Sequence, residues 1–143
     1  MILCDTGPIF AAADRRDVDH YVCVELFTGL RLANRRLLLP QTVIAEVGYM
    51  LEAKIGTFAE VAFLESVATG SFELVSLTAP DVARMRELVA RYDDLPLGTT
   101  DASVIALSER FCISEVATLD HRHFRVVRPS HVEALTLLPE AVS

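Results

Sequence analysis

What the chain lacks narrows its function before anything positive is read from it. It carries three cysteines, Cys4, Cys23 and Cys112, an odd number with no C-x-x-C spacing. Neither a disulfide framework nor a thiolate zinc site is indicated, and buried thiols in a reducing compartment are expected. No apolar run approaches the roughly 18 residues of a spanning helix, and Asp5 interrupts the N-terminus before a signal-peptide core could form. A cytoplasmic protein with no membrane partner is expected. Lys54 is the only lysine, and no second acid follows Asp5 within two residues, since Gly7 stands there. This argues against a receiver-like signalling module, which pairs acids after its first strand with a lysine near its last, and against a phosphatase with an aspartyl nucleophile. There is no G-x-G-x-x-G loop for a dinucleotide, and no Ser-His-Asp or Cys-His arrangement can be assigned. Repeats, linkers and low-complexity stretches are absent too.

What is present fits one domain over residues 1–143, with 52% apolar residues to fill a core and leave a face for a partner. The net charge of −7 argues at first against a nucleic-acid partner. That argument weakens if four acids belong to one metal site, because setting them aside leaves −3. The arginines are clumped at Arg15-Arg16, at Arg31 with Arg35-Arg36, and at Arg122 with Arg125 and Arg128. Each clump alone reads as a solvated face. The last begins two residues after Asp120, which makes Arg122 the candidate phosphate contact. His121 and His123, on either side of it, read as surface or packing residues.

Strands and helices alternate along the chain. Ile2–Cys4 reads as a strand, a helix follows Asp5, and Asp17 is placed to cap a helix from Val18 to Leu32. Leu37–Leu39 reads as a buried parallel strand stopped by Pro40, with Thr42 capping the next helix, which Gly56 ends. Further helices are expected at 58–68, from Thr78 and Asp81 through Tyr92, and at 102–109. Further strands are expected at 72–77, 115–119 and 124–127. This order implies an α/β fold with a mainly parallel central sheet and helices on both faces.

Four acids stand out within that pattern. Asp5 and Asp120 follow apolar strands, while Glu46 and Asp101 interrupt the faces of apolar helices. Strand C-termini in an open α/β sheet share one rim, so acids far apart in sequence can meet there. Gathered carboxylates repel, and a divalent cation lets them stay ionised together. Mg²⁺ suits a few carboxylates because it takes oxygen ligands and keeps waters, and it can activate water without a side-chain nucleophile. Asp101, at the start of its helix, has a capping role as its purely structural alternative.

The stretches Leu3-Cys4-Asp5-Thr6-Gly7-Pro8, Thr42-Val43-Ile44-Ala45-Glu46-Val47, Leu95 to Ala102 and Ala117-Thr118-Leu119-Asp120-His121-Arg122-His123-Phe124 together resemble a PIN-domain ribonuclease. More narrowly, the chain resembles a VapC-type toxin of a toxin–antitoxin pair. The resemblance runs along essentially the whole chain and implies a three-layer α/β/α PIN-like fold. It implies a metal-dependent endoribonuclease that uses Mg²⁺ or Mn²⁺ and inhibits growth or translation by cleaving RNA. Asp5, Glu46, Asp101 and Asp120 would be the catalytic, metal-binding acids, with Thr6 and Thr118 as supporting hydroxyls. It also implies a homodimer and a cognate VapB-type antitoxin. The competing expectation is a PIN-like module that binds RNA or protein without cutting.

Overall fold

The structure, a computed structural model, describes residues 1–140. Five strands form one all-parallel sheet in the order β3-β2-β1-β4-β5: β1 (Ile2–Cys4), β2 (Leu37–Pro40), β3 (Glu73–Val75), β4 (Glu115–Ala117) and β5 (Thr136–Leu138). β1 is central, pairing Leu3 with Leu38 of β2 on one side and with Val116 of β4 on the other. All residues of β1 and β2 are buried, as strands covered on both faces require. The sheet therefore reverses its direction of growth between β1 and β4, and a topological switch point of this kind opens a crevice beyond the strand C-termini.

Among the described residues seven helices flank the sheet in a three-layer α/β/α arrangement: α1 (Thr6–Ala13), α2 (His20–Leu32), α3 (Gln41–Lys54), α4 (Thr57–Ala68), α5 (Ala79–Arg91), α6 (Thr99–Phe111) and α7 (His121–Val126). α1 packs on α2 and α3, α3 on α4, and α5 on α6. Every residue of α6 from Ala102 to Ser108 is buried, so this helix has no solvent face there. Its Ser103 and Ser108 hydroxyls are accommodated by donating to the backbone carbonyls three residues earlier. No described helix is long and apolar enough to cross a membrane.

Several expectations are corrected by the coordinates. Residues 124–127 are not a strand: Phe124 to Val126 belong to α7, and the fifth strand is Thr136–Leu138. The Asp120 side chain accepts from the His123 amide and starts a helical turn, which overrides the β preference of Val126 and Val127. Asp17 does not cap α2, which begins at His20; its carboxylate closes the preceding turn on the Asp19 amide at 2.8 Å. Thr42 lies within α3, whose first residue is Gln41, and its hydroxyl is 2.6 Å from Ser103 Oγ on α6. The predicted Thr78–Asp81 start of α5 is present as a reciprocal capping box. Cys4 and Cys23 are buried, but Cys112 is exposed, at the left-handed C-cap of α6.

Candidate active site

The chain reaches the crevice at the end of β1. Asp5 follows the strand directly, its amide donates to the Ala117 carbonyl of β4 at 2.9 Å, and α1 begins at the next residue. This places a carboxylate between two strand ends. Gly7, in the first turn of α1, lets the helix approach the end of β4, since a Cβ there would sit 3.2 Å from Leu119 Cβ. On the other side of the switch point, β4 leads through Thr118 and Leu119 to Asp120.

Thr118 connects the two strand-end acids. Its buried hydroxyl donates to Asp5 Oδ2 at 2.8 Å and accepts from the Asp120 amide at 3.0 Å. One hydroxyl thereby fixes both the Asp5 carboxylate and the backbone that carries Asp120. Thr118→Val removes both bonds and leaves a buried carboxylate oxygen without its donor, so it is expected to destabilise the protein by about 2 kcal/mol. Chemical denaturation measures this, and a loss below about 0.5 kcal/mol would mean that Thr118 does not hold these groups.

The other two acids arrive on helices that are tied together. Ser103 of α6 donates to the Thr100 carbonyl and so accepts from Thr42 of α3. One turn along α3, Glu46 accepts from the Thr100 hydroxyl at 2.9 Å. Glu46 is exposed and Asp101 half-buried. Asp101 does not cap α6, because Gly98 occupies the N-cap and no side chain bonds the helix end. Asp101 does lie in the first turn of α6, where the helix dipole favours an acid, so that part of its structural alternative stands.

Asp5, Glu46, Asp101 and Asp120 all line one open pocket of about 740 Å³, together with Thr6, Gly7, Met50, Leu119 and the Gly98–Thr100 turn. Their charges act on one another. Burial pushes the Asp5 carboxyl up to about 6; the Thr6 amide and Thr118 hydroxyl lower it, and Glu46 and Asp120 raise it further. Asp101 is pushed up to about 7, first by burial and then by Asp5 and Asp120, with His123 partly offsetting the rise. Burial is the larger cause in both, and the neighbouring acids add to it.

Thr6 also lines the pocket, and its buried hydroxyl has no hydrogen-bond partner. Carboxylates and hydroxyls form an oxygen-rich donor set that fits a hard divalent cation. His123 was expected to pack or face solvent, yet its Nδ1 lies 2.5 Å from Asp120 Oδ2 and 3.6 Å from Asp101 Oδ2. Asp101, Asp120 and His123 offer potential ligand atoms within 4.8 Å of one another. Sequence spacing places His123 three residues after Asp120 but does not show which way its ring turns. Arg122 is exposed on the first turn of α7 and is not part of the pocket wall.

Residues 2–129 match the PIN domain, and the chain belongs to that family. It is 30% identical over 138 residues to Ribonuclease VapC26 of Mycobacterium tuberculosis, spanning 96% of this chain and the whole of that protein. Its fold is similar to that of VapC20 of Mycobacterium tuberculosis, described as a sarcin-ricin loop cleaving toxin (TM-score 0.72, 20% identity, 81% of this chain and 87% of that one). It is also similar to a chain of VapBC2 from Rickettsia felis, solved bound to a promoter DNA fragment (TM-score 0.66, 17% identity, 96% and 97%).

Proposed function

We propose that this protein is a divalent-metal-dependent endoribonuclease and the toxin half of a toxin–antitoxin pair, acting in the cytoplasm as one PIN-like domain over residues 1–143. The observation that carries this reading is the convergence of four acids, from two strand ends and two helices, on one pocket. The 30% identity to a VapC ribonuclease supports the choice of RNA as substrate.

When bound, Mg²⁺ or Mn²⁺ supplies an activated water and neutralises charge on the phosphate. Asp5, Glu46, Asp101 and Asp120 are the residues that would hold it. Thr118 orients Asp5 through its 2.8 Å bond, and Thr100 does the same for Glu46. The unpartnered Thr6 hydroxyl is available to the same oxygen donor set. These groups are in place before substrate arrives, because strand ends and packed helices set their positions.

Arg122 supplies positive charge beside an acidic pocket. Its role is to contact an RNA phosphate outside the pocket itself. Arg122→Ala is then expected to raise KM for RNA several-fold with little change in kcat, and to reduce the salt dependence of binding by about one counterion. Unchanged binding across a salt series would remove Arg122 from the RNA path.

A protein that cuts cellular RNA needs restraint, and the similar VapBC2 was solved bound to a DNA fragment from its promoter. A VapB-type antitoxin is the partner this reading implies, with a homodimer as the assembled form. Expression of the chain alone is the direct test of the toxin role. It is expected to arrest growth, with Asp5→Asn harmless at equal soluble level. Normal growth in the presence of free, soluble wild-type protein would contradict it.

A further inference from the structure

The four histidines divide into two kinds. His20 Nδ1 lies 2.8 Å from the Ala11 carbonyl, His121 Nε2 3.1 Å from the Thr118 carbonyl, and His131 Nε2 2.7 Å from the Ile113 carbonyl. Each of these rings is tied to backbone in the manner of a packing residue. The polar partners of the His123 ring are instead the carboxylates of Asp120 and Asp101.

The placement of His123 follows from the same turn that starts α7. Asp120 Oδ1 accepts from the His123 amide at 3.2 Å while Asp120 Oδ2 lies against His123 Nδ1. Phe124, the next residue, is 2% exposed and anchors the turn in the core. The ring is therefore held toward the acids by backbone capping and by packing. Thr6, whose buried hydroxyl is orphaned, lines the same pocket as Asp101 and Asp120.

From this geometry we infer that His123 is a nitrogen ligand of the divalent metal, completing a mixed Asp101–Asp120–His123 donor set that favours Mn²⁺ over Mg²⁺. The inference rests on the metal-dependent reading above and adds a residue and an ion preference to it. The three ligand atoms lie within 4.8 Å of one another, and on metal binding the His123 Nδ1–Asp120 Oδ2 hydrogen bond would open and its proton would be released to solvent, freeing both atoms for one ion. An all-oxygen site suits Mg²⁺, which gives up its waters reluctantly. An imidazole nitrogen is a softer donor, and replacing one oxygen by it shifts relative affinity toward first-row transition metals.

The test is electron spin-echo spectroscopy of Mn²⁺ bound to the purified full-length protein, with titration calorimetry of Mn²⁺ and Mg²⁺ alongside. Wild-type protein is expected to show nitrogen modulation from a directly coordinated imidazole, changing to the ¹⁵N pattern when histidine is ¹⁵N-labelled. In His123→Gln, which replaces the nitrogen by an amide oxygen, the modulation is expected to vanish. Mn²⁺ affinity should fall at least about tenfold, with a smaller loss for Mg²⁺. Mn²⁺ bound by wild type with no nitrogen modulation would overturn the inference while leaving the metal-dependent nuclease standing, and modulation persisting in folded His123→Gln would do the same. Absence of any Mn²⁺ binding would overturn the inference, and absence of both Mn²⁺ and Mg²⁺ binding would overturn the metal-dependent reading as well. The labelled wild-type measurement needs no variant, so poor folding of His123→Gln would not remove the test.

Discussion

Asp101→Asn is expected to lower metal-dependent RNA cleavage by on the order of 10²-fold or more, because on the proposed reading it removes a negative charge that would hold the cation. Asp5→Asn should have an effect of the same order. The two acids share burial and mutual repulsion, and both line the pocket. Both substitutions keep side-chain volume, so a loss of activity would not come from a core cavity. Asp94→Asn, in the exposed loop before α6, is the matched control and should leave cleavage unchanged. Single-turnover assays at saturating metal measure the difference. Near-wild-type cleavage by Asp101→Asn would place the chemistry elsewhere in the pocket.

The second large effect is on stability. In the folded chain Asp5 is held at about 6 and Asp101 at about 7, whereas an unfolded Asp titrates near the ordinary ~3.9. The native state thus binds these protons more tightly. Its contribution to stability is fully present below pH ~4, is lost as pH rises through 6 and 7, and stays lost above pH ~8. At about 1.4 kcal/mol for each pKa unit, the loss for the pair amounts to several kcal/mol. The Asp5→Asn, Asp101→Asn double variant does not incur it. Metal-free, that variant is expected to match wild type in stability near pH 4 and to exceed it by about that amount at pH 8. Other acids, such as Glu109 with its Arg84 partner, shift both proteins alike, so the difference between them isolates the site. Mn²⁺ should accordingly raise the wild-type Tm more at pH 8 than at pH 5. Equal stability of the two proteins at pH 8 would show that the acids do not strain the metal-free fold.

Much of this arrangement was legible from sequence because it depends on chain punctuation. Short apolar runs ended by Asp5 and Pro40 marked β1 and β2, and the acid following an apolar run at Asp120 marked the rim. Acids at strand ends and on helix faces could be expected to meet at one rim, and all four do line one crevice. What could not be read depended on how side chains meet. Val126 and Val127 have strand-forming composition, yet the Asp120 cap turns that segment into α7. Thr136–Leu138 is only three residues long and takes its place at the sheet edge by pairing with β4. Thr42 looked like a helix cap because of its type, whereas its hydroxyl ties α3 to α6 through Ser103. His123 reads from sequence as a surface or packing residue because spacing fixes neither ring direction nor the distance to Asp101, which lies on a different helix. Thr118 was named as a supporting hydroxyl by resemblance, and its two hydrogen bonds supply the physical reason.

Cleavage of total RNA by the purified protein is the most direct test of the central claim, run with Mn²⁺ or Mg²⁺, with chelator, and beside the Asp5→Asn, Asp101→Asn variant. Discrete fragments that need the metal, disappear on chelation and are absent with the variant are the predicted result. Cleavage that survives both chelation and the substitutions would contradict the account.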